Sequence, residues 1–335
     1  MKRHLIIIIG LVLSFATTSC EQKNGPASKD RSSGGTAEIL IVTQNDEQWK
    51  GTIGETLQCY FCAEQYGLPQ PESKFNLAHV NVSGFSDLFK KHKCILEVEI
   101  NPNIEFAKTE VAEDMWAAPQ QYVKITAPNL SDWVEQFGRQ KELLMQKFYK
   151  TERERIMSVL RPTVDNAIVD AIGKKFGFTM TVPQGFFIGK SEPDFMWIRK
   201  ELERSSSCLL IYQTPYIDTA QFTEASLIAF RERMVNQHIP GPTEGSYMST
   251  DTVYEPPLAS YPQDFPAGYA VELRGRWRVE HEYMGGPFIS YSFLNPNNGN
   301  LVTVEGFYYE PNQKKRNQIL QLQAIMYSLR FVENE

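Results

Sequence analysis

Residues 269–311 read YAVELRGRWRVEHEYMGGPFISYSFLNPNNGNLVTVEGFYYEP. Three runs rich in Val, Ile, Phe, Tyr and Trp are broken at MGGP (284–287) and NPNNGN (295–300), where Gly, Pro and Asn supply the backbone geometries that reverse a chain. The pattern predicts an antiparallel meander, with Gly285 and Gly286 at positive φ in its first turn. Alternation within RGRWRVEHEY assigns faces: Arg274, Arg276, Arg278, Glu280 and Glu282 fall on one side, Trp277, Val279, His281 and Tyr283 on the other. A charged outer ladder over an apolar inner face is expected, with His281 in the core or at a hairpin end. Downstream, Ile319, Leu322, Met326 and Leu329 recur at helical spacing and predict an amphipathic helix that closes the meander. Strands with helices packed on one side make an α+β domain.

Working outward, FTMTVPQGFFIG (178–189), FMWIRKEL (195–202) and CLLIYQTPY (208–216) read as strands, and TEASLIAFRERMVNQH (223–238) reads as a helix. Residues 239–268 carry too much Pro and Gly for long regular elements. The order of strand, Pro-Gly-aromatic turn, strand and a terminal helix ending in SLRF is similar to that of the small sandwich shared by the Mog1 and PsbP families.

The first half opens with EILIVT (38–43), a compact run suited to a buried strand. DEQWKGTIGETLQCYFCAEQYG (46–67) reads as one helix, with Trp49, Ile53, Leu57, Tyr60 and Phe61 at helical spacing and a stop at Gly67 and Pro69. FNLAHVNV (75–82) and KCILEVEI (93–100) read as strands around a short helical FSDLFKK (85–91), and AAPQQYVKITAPN (117–129) as another strand. From Leu130 the period changes: Trp133, Phe137, Leu144 and Phe148 share one face of a long charged helix that Asn129 or Ser131 can cap. Pro162 suits the first turn of a further helix, with Val164, Ile168, Ile172 and Phe176 inside and Gly177 as its stop. The expected fold is α+β in two domains of mixed or antiparallel sheet packed with helices, spanning 37–160 and 161–335.

The extreme N-terminus speaks to location. Lys2, Arg3 and His4 precede the apolar run LIIIIGLVLSFA (5–16), which is followed by Thr17, Thr18, Ser19 and Cys20. A spanning helix needs roughly 20 apolar residues, so this run reads as a cleavable export signal over 1–19. A small residue directly before a cysteine at the end of such a run resembles the lipobox of bacterial lipoproteins, although Thr17 stands where that box prefers Leu. The resemblance implies lipidation of Cys20 and a mature chain held at the membrane by its acyl chains. EQKNGPASKDRSSGGT (21–36) has no apolar face and is expected to be a flexible tether spanning roughly 20–25 Å.

Composition excludes several classes. The 34 basic and 40 acidic residues give a net charge of −6, which offers no nucleic-acid groove. No second apolar stretch is long enough to span a bilayer, and no internal repeat is apparent. G-x-S-x-G, H-E-x-x-H, G-x-x-x-x-G-K-[ST] and G-x-G-x-x-G are all absent, so no catalytic residue is assigned. Cys59 and Cys62 form a C-x-x-C that falls late in its predicted helix, away from the helix start that would activate a thiol. A zinc site there would need two further ligands, and His92 with Cys94 is the nearest cluster, so neither metal nor cofactor is assigned. QKKRNQ (313–318), at a helix start, reads as a solvated end.

One pattern suggests a ligand. Arg274 and Arg276, followed by Trp277 and joined by Arg199 of MWIRKE, could form a pocket for a carboxylate or phosphate, with a backbone nest at Gly285 and Gly286. The expected function is therefore non-enzymatic binding or scaffolding at the cell envelope, with an anionic small ligand or an envelope protein as partner. The alternative is an envelope hydrolase of cell-wall or glycan material, which would show a cleft with paired carboxylates about 5–9 Å apart.

GLPQPE (67–72), MWAAPQQYVKITAP (115–128), FMWIRKE (195–201), IPGPTEGSYMST (239–250), ELRGRWRVE (272–280), MGGPF (284–288) and TVEGFYYEPNQKKRNQ (303–318) occur in this order. Together they resemble the Bacteroidota lipoprotein family catalogued as domain of unknown function 4837, across essentially the whole mature chain. That family has no assigned reaction, so the resemblance implies location and fold. EQKNG after Cys20 lacks the acidic run that resembles a surface-export signal in this phylum, which implies a periplasm-facing position at the outer membrane.

Overall fold

The computed structural model describes residues 29–333, so the expected signal, Cys20 and the first part of the tether lie outside the described residues. The N-terminal half builds a five-stranded sheet in the order β2 (Asn76–Asn81), β1 (Glu38–Thr43), β3 (Cys94–Ile100), β5 (Gln121–Ala127), β4 (Lys108–Glu113). The first four pair in parallel, and β4 runs antiparallel at the edge. Parallel strands are buried on both faces, which explains the unbroken apolar run of EILIVT. Ile39 and Ile41 pack under α2 (Thr52–Phe61) and α4 (Leu130–Leu160), while Leu40 and Val42 pack beneath Phe85, Trp116 and Tyr122. The single helix expected over 46–67 is two, α1 (Asp46–Lys50) and α2, parted at Gly51. A short α3 (Asp87–Lys90) precedes β3, and Asn129 caps α4 by accepting from the Asp132 amide at 3.0 Å.

The C-terminal half opens with α5 (Asn166–Phe176), capped by Asp165 and stopped at Gly177 with φ 75. Pro162 stands in the 3-10 turn before it, so Val164 lies outside the helix. An antiparallel sheet of eight strands then runs β10 (Met248–Thr250), β12 (Ala270–Val279), β13 (Gly285–Leu294), β14 (Asn300–Tyr309), β9 (Ser206–Pro215), β8 (Phe195–Glu201), β7 (Phe187–Glu192), with β11 (Leu258–Ser260) beside β12. FTMTVPQGFFIG is not one strand: it holds β6 (Phe178–Thr179), which pairs with the terminal β15 (Arg330–Phe331), and the start of β7.

Helices cover both faces of this sheet, where one covered face was expected. α5 and α7 (Arg316–Met326) pack on one side against Ile289, Tyr291, Val302 and Val304; α6 (Glu224–His238) packs on the other against Tyr212, Leu273, Trp277 and Phe307. The run from Gly286 to Phe293 is consequently buried at every residue. A second correction concerns the first turn of the meander, which is formed by residues 280–284 with His281 at φ 70. Gly285 and Gly286 lie within β13, opposite Arg278 and Trp277. Space requires glycine at 286: a Cβ there would meet the Tyr308 carbonyl and sit 3.1 Å from Trp277 Nε1.

The two halves share elements. Leu320 of α7 belongs to the N-terminal core, while Met157 and Leu160 at the end of α4 belong to the C-terminal one. The described part of the tether expected over 21–36 is bound to the fold, with Arg31 bridging to Ala118 and Ser33 to His92.

A candidate binding cleft between the two halves

GLPQPE and QKKRNQ meet at the seam. Gly67, at φ +82, lies so close to β12 that a Cβ would sit 3.1 Å from the Gly275 amide nitrogen. Glu72 Oε1 accepts from the backbone amides of Lys315 at 2.6 Å and Arg316 at 3.1 Å, capping α7 from the opposite half. Lys315 and Arg316 are therefore buried, not a solvated end, and a carboxylate supplies the negative charge that a helix start favours. Arg316 Nη1 also donates to the Ser73 carbonyl at 2.8 Å.

Beside this seam lies a cleft of about 280 Å³, lined by Lys74, Tyr149 and Arg153 from one half and Asp264, Glu272, Arg274, Gln323 and Tyr327 from the other. Two relays shape it. In the first, Arg274 Nε donates to Glu272 Oε1 at 2.5 Å, Tyr291 donates to Glu272 Oε2 at 2.5 Å, and Gln323 Nε2 donates to the Tyr291 oxygen at 2.6 Å. In the second, Arg153 Nη2 pairs with Asp264 Oδ2, and the Tyr327 hydroxyl donates to Asp264 Oδ1 at 3.1 Å. The Arg153 guanidinium lies 3.7 Å from the centre of the Tyr327 ring, close enough for a cation–π contact. Tyr291 and Tyr327 meet edge to face at 5.3 Å, which joins the relays.

Electrostatics keep these groups in their donor forms. Burial pushes the Tyr291 and Tyr327 hydroxyls far up, reinforced by Glu272 and Asp264, and burial raises Tyr149 to about 12. Burial alone would weaken the Arg274 proton; Glu272 outweighs it and holds the guanidinium above its ordinary range. Each cleft carboxylate has both oxygens engaged, one by a guanidinium and one by a tyrosine.

The predicted arginine set does not converge. Arg199 sits on β8, four strand positions from β12, or roughly 19 Å at the usual strand spacing. It pairs with Glu201 and lies 4.3 Å from the Trp197 ring. Arg276 is held by Glu255 at 3.0 Å and Asp251 at 3.7 Å, and Arg278 by Glu280 at 2.6 Å. Trp277 lies in the core on the opposite face, and Gly285 and Gly286 serve as ladder residues. Arg274 alone of the set reaches the cleft. Parity holds for Arg274, Arg276 and Arg278 against Trp277 and Val279, but residues 280–283 leave the strand, so His281 and Tyr283 are exposed in the turn and not on the inner face, and the arginines are half-buried instead of forming an outer ladder.

The four described cysteines are free thiols. Cys59 lies in the last turn of α2 and Cys62 caps it, with burial raising the Cys62 thiol; burial also pushes Cys208 up to about 11. His92 contacts the backbone of Cys94, not its sulfur, and its Nε2 lies 3.0 Å from Glu38 Oε1. Among the described residues, no three His, Cys, Asp or Glu side chains gather in a way that could hold a metal ion, and no helix is long and apolar enough to cross a membrane.

Comparison with known proteins agrees with this two-part build. A search of curated sequences finds no match. Among solved structures, the Saccharomyces cerevisiae Ran-binding protein Mog1p is similar over 47% of this chain and 91% of its own, at 9% identity and a TM-score of 0.31. The lipid transfer and protein localization domain of human StarD13 is similar over 48% of this chain and 95% of its own, at 9% identity and a TM-score of 0.22. Likenesses this distant transfer neither fold nor function. The DUF4837 resemblance expected along the whole mature chain is narrower, because GLPQPE and MWAAPQQYVKITAP fall under a different family model. Residues 165–328 match the domain of unknown function DUF4837, and residues 32–161 match the domain of unknown function DUF8532.

Proposed function

We propose that this is a lipid-anchored protein of the cell envelope that binds a small ligand in the cleft between its two halves and does not transform it. The observation that carries the binding reading is the state of the cleft carboxylates. Asp264 and Glu272 each accept from a guanidinium and a tyrosine hydroxyl, and these bonds fix a shaped wall of donors around the cleft. Small-molecule sites favour such clefts between domains. Anchoring rests on the basic start, the short apolar run and the small residues before Cys20.

Two experiments test the two parts. Metabolic labelling with a fatty-acid probe marks the wild type and not Cys20→Ser; equal labelling of both removes the anchor. A thermal-shift screen of the full chain against phosphosugars, muropeptides and lipid headgroups finds a stabilising ligand that is recovered unchanged. Turnover of a muropeptide, lost in Asp264→Asn, would replace binding with hydrolysis.

A further inference from the structure

The relay through Tyr291 leaves an unmatched group in the cleft. A tyrosine hydroxyl has one proton, and that of Tyr291 is committed to Glu272 Oε2 at 2.5 Å. Its oxygen must then accept from Gln323 at 2.6 Å, which fixes the amide with Nε2 toward Tyr291. Gln323 Oε1 therefore cannot turn to that partner. It is buried without a hydrogen-bond donor, on a residue 3% exposed that lines the cleft. Buried carbonyl oxygens are ordinarily satisfied.

A second mismatch lies at the other end of the same relay. Arg274 uses only Nε on Glu272, and among the described residues neither of its Nη atoms meets a protein acceptor. The two Nη groups form a fork suited to a carboxylate. Charge points the same way. Lys74, Arg153 and Arg274 line the cleft together with Asp264 and Glu272, which leaves one positive charge in excess, and Lys74 makes no ion pair among the described residues. A volume of about 280 Å³ is at the small end for ligand pockets, on the scale of an amino acid or a monosaccharide.

We infer that the cleft takes a small monoanionic carboxylate bearing a hydroxyl donor close to its acid group, with the carboxylate on the Arg274 fork and the donor on Gln323 Oε1. This rests on the binding reading above and deepens it by naming the ligand class. An acid without the donor leaves Gln323 unmatched, and a neutral sugar leaves Arg274 and the excess charge unmatched.

Isothermal titration of the full chain with four probes tests the assignment. Lactate carries both features and propionate lacks the donor; N-acetylmuramic acid carries the carboxylate on an etherified lactyl group, with its nearest donors on the sugar ring, and N-acetylglucosamine lacks the carboxylate. Lactate is expected to bind at least ten-fold tighter than propionate, and N-acetylmuramic acid to bind where N-acetylglucosamine does not. Gln323→Leu should erase the preference for lactate, and Arg274→Lys, which keeps the charge and removes the fork, should weaken both acids at least ten-fold. If Arg274→Lys does not fold, Lys74→Gln at the cleft rim must weaken both acids instead. Equal binding of lactate and propionate, or of the two sugars, overturns the inference and leaves the cleft as a binding site. Silence from all four probes overturns it too, and silence from every compound in the wider screen removes the binding reading with it.

Discussion

Two Arg–Glu–Tyr trios lie on opposite faces of the same eight-stranded sheet, and they are finished differently. Beneath α6, Arg231 grips Glu305 through Nε at 3.0 Å and Nη2 at 2.8 Å, gives Nη1 to Thr250 Oγ1 at 2.6 Å, and stacks 3.8 Å from the Phe288 ring. Tyr212 donates to the same carboxylate at 3.1 Å, and Arg231 and Glu305 are 1% and 0% exposed. On the other face, Arg274, Glu272 and Tyr291 repeat the chemistry but leave both Nη atoms and the neighbouring Gln323 Oε1 unmatched. A completed network inside a core specifies packing. An incomplete one opening on a cleft has bonds left for something else.

The sharpest way to break that contrast is to remove the sealed arginine. Arg231→Leu strands Glu305 in an apolar interior, and losing one partner of a buried pair costs about 3–5 kcal/mol. Urea unfolding should show that loss; a change below about 1 kcal/mol would mean that water reaches Glu305 and that the two trios are alike. Arg274→Gln is expected to be milder, about 1–2 kcal/mol, because the cleft admits water to Glu272 once the guanidinium is gone. A loss equal to that of Arg231→Leu would make the Arg274 trio a structural network and end the contrast.

Acid should test the sealed face separately. His238 of α6 stacks 4.2 Å from the Phe195 ring, neither ring nitrogen has a hydrogen-bond partner, and burial pushes its pKa below the ordinary 6.5. Burial lowers His79 and His92 likewise. The unfolded chain then takes up protons that the native state refuses, so stability is lost as pH falls through 6.5. Glu152, raised by burial, acts in the opposite sense from its ordinary 4.5 upward, so the informative quantity is a difference. His238→Phe should flatten the loss of stability between pH 7 and pH 5 relative to wild type, followed by urea midpoints. An unchanged slope would show that His238 titrates freely in the fold.

These contrasts were only partly legible in the sequence. α6 was readable to within a residue because Thr223 caps it and its apolar positions keep one period. The polar edge strand β4 carries no such signal, since it is half solvated and defined by its partner β5. Arg274 stood out by residue type, but parity along one strand says nothing about which strand lies beside it, so Arg199 was grouped with it wrongly. Arg153 and Lys74 join the cleft only through the packing of α4 and the Glu72 cap on α7, contacts between distant parts of the chain. Gln323 did leave a trace. It follows Ile319 by four residues and precedes Met326 by three, so a polar side chain stands on the apolar face of α7.

The smallest expected effect falls at the rim of the cleft, where it sharpens the contrast most economically. Lys74 is half-buried, lines the cleft and makes no ion pair among the described residues, so the free protein loses little when its charge goes. Lys74→Gln should change unfolding free energy by less than about 0.5 kcal/mol, as partly exposed charges usually do. A bound anion changes the comparison, because a ligand stabilises the native state only in proportion to its affinity. The variant should match wild type when empty and fall short of it in melting temperature when a carboxylate probe is present. Loss of stability in the empty protein would mean that Lys74 already holds the two halves together, whereas identical shifts with probe present would place the anion away from this rim.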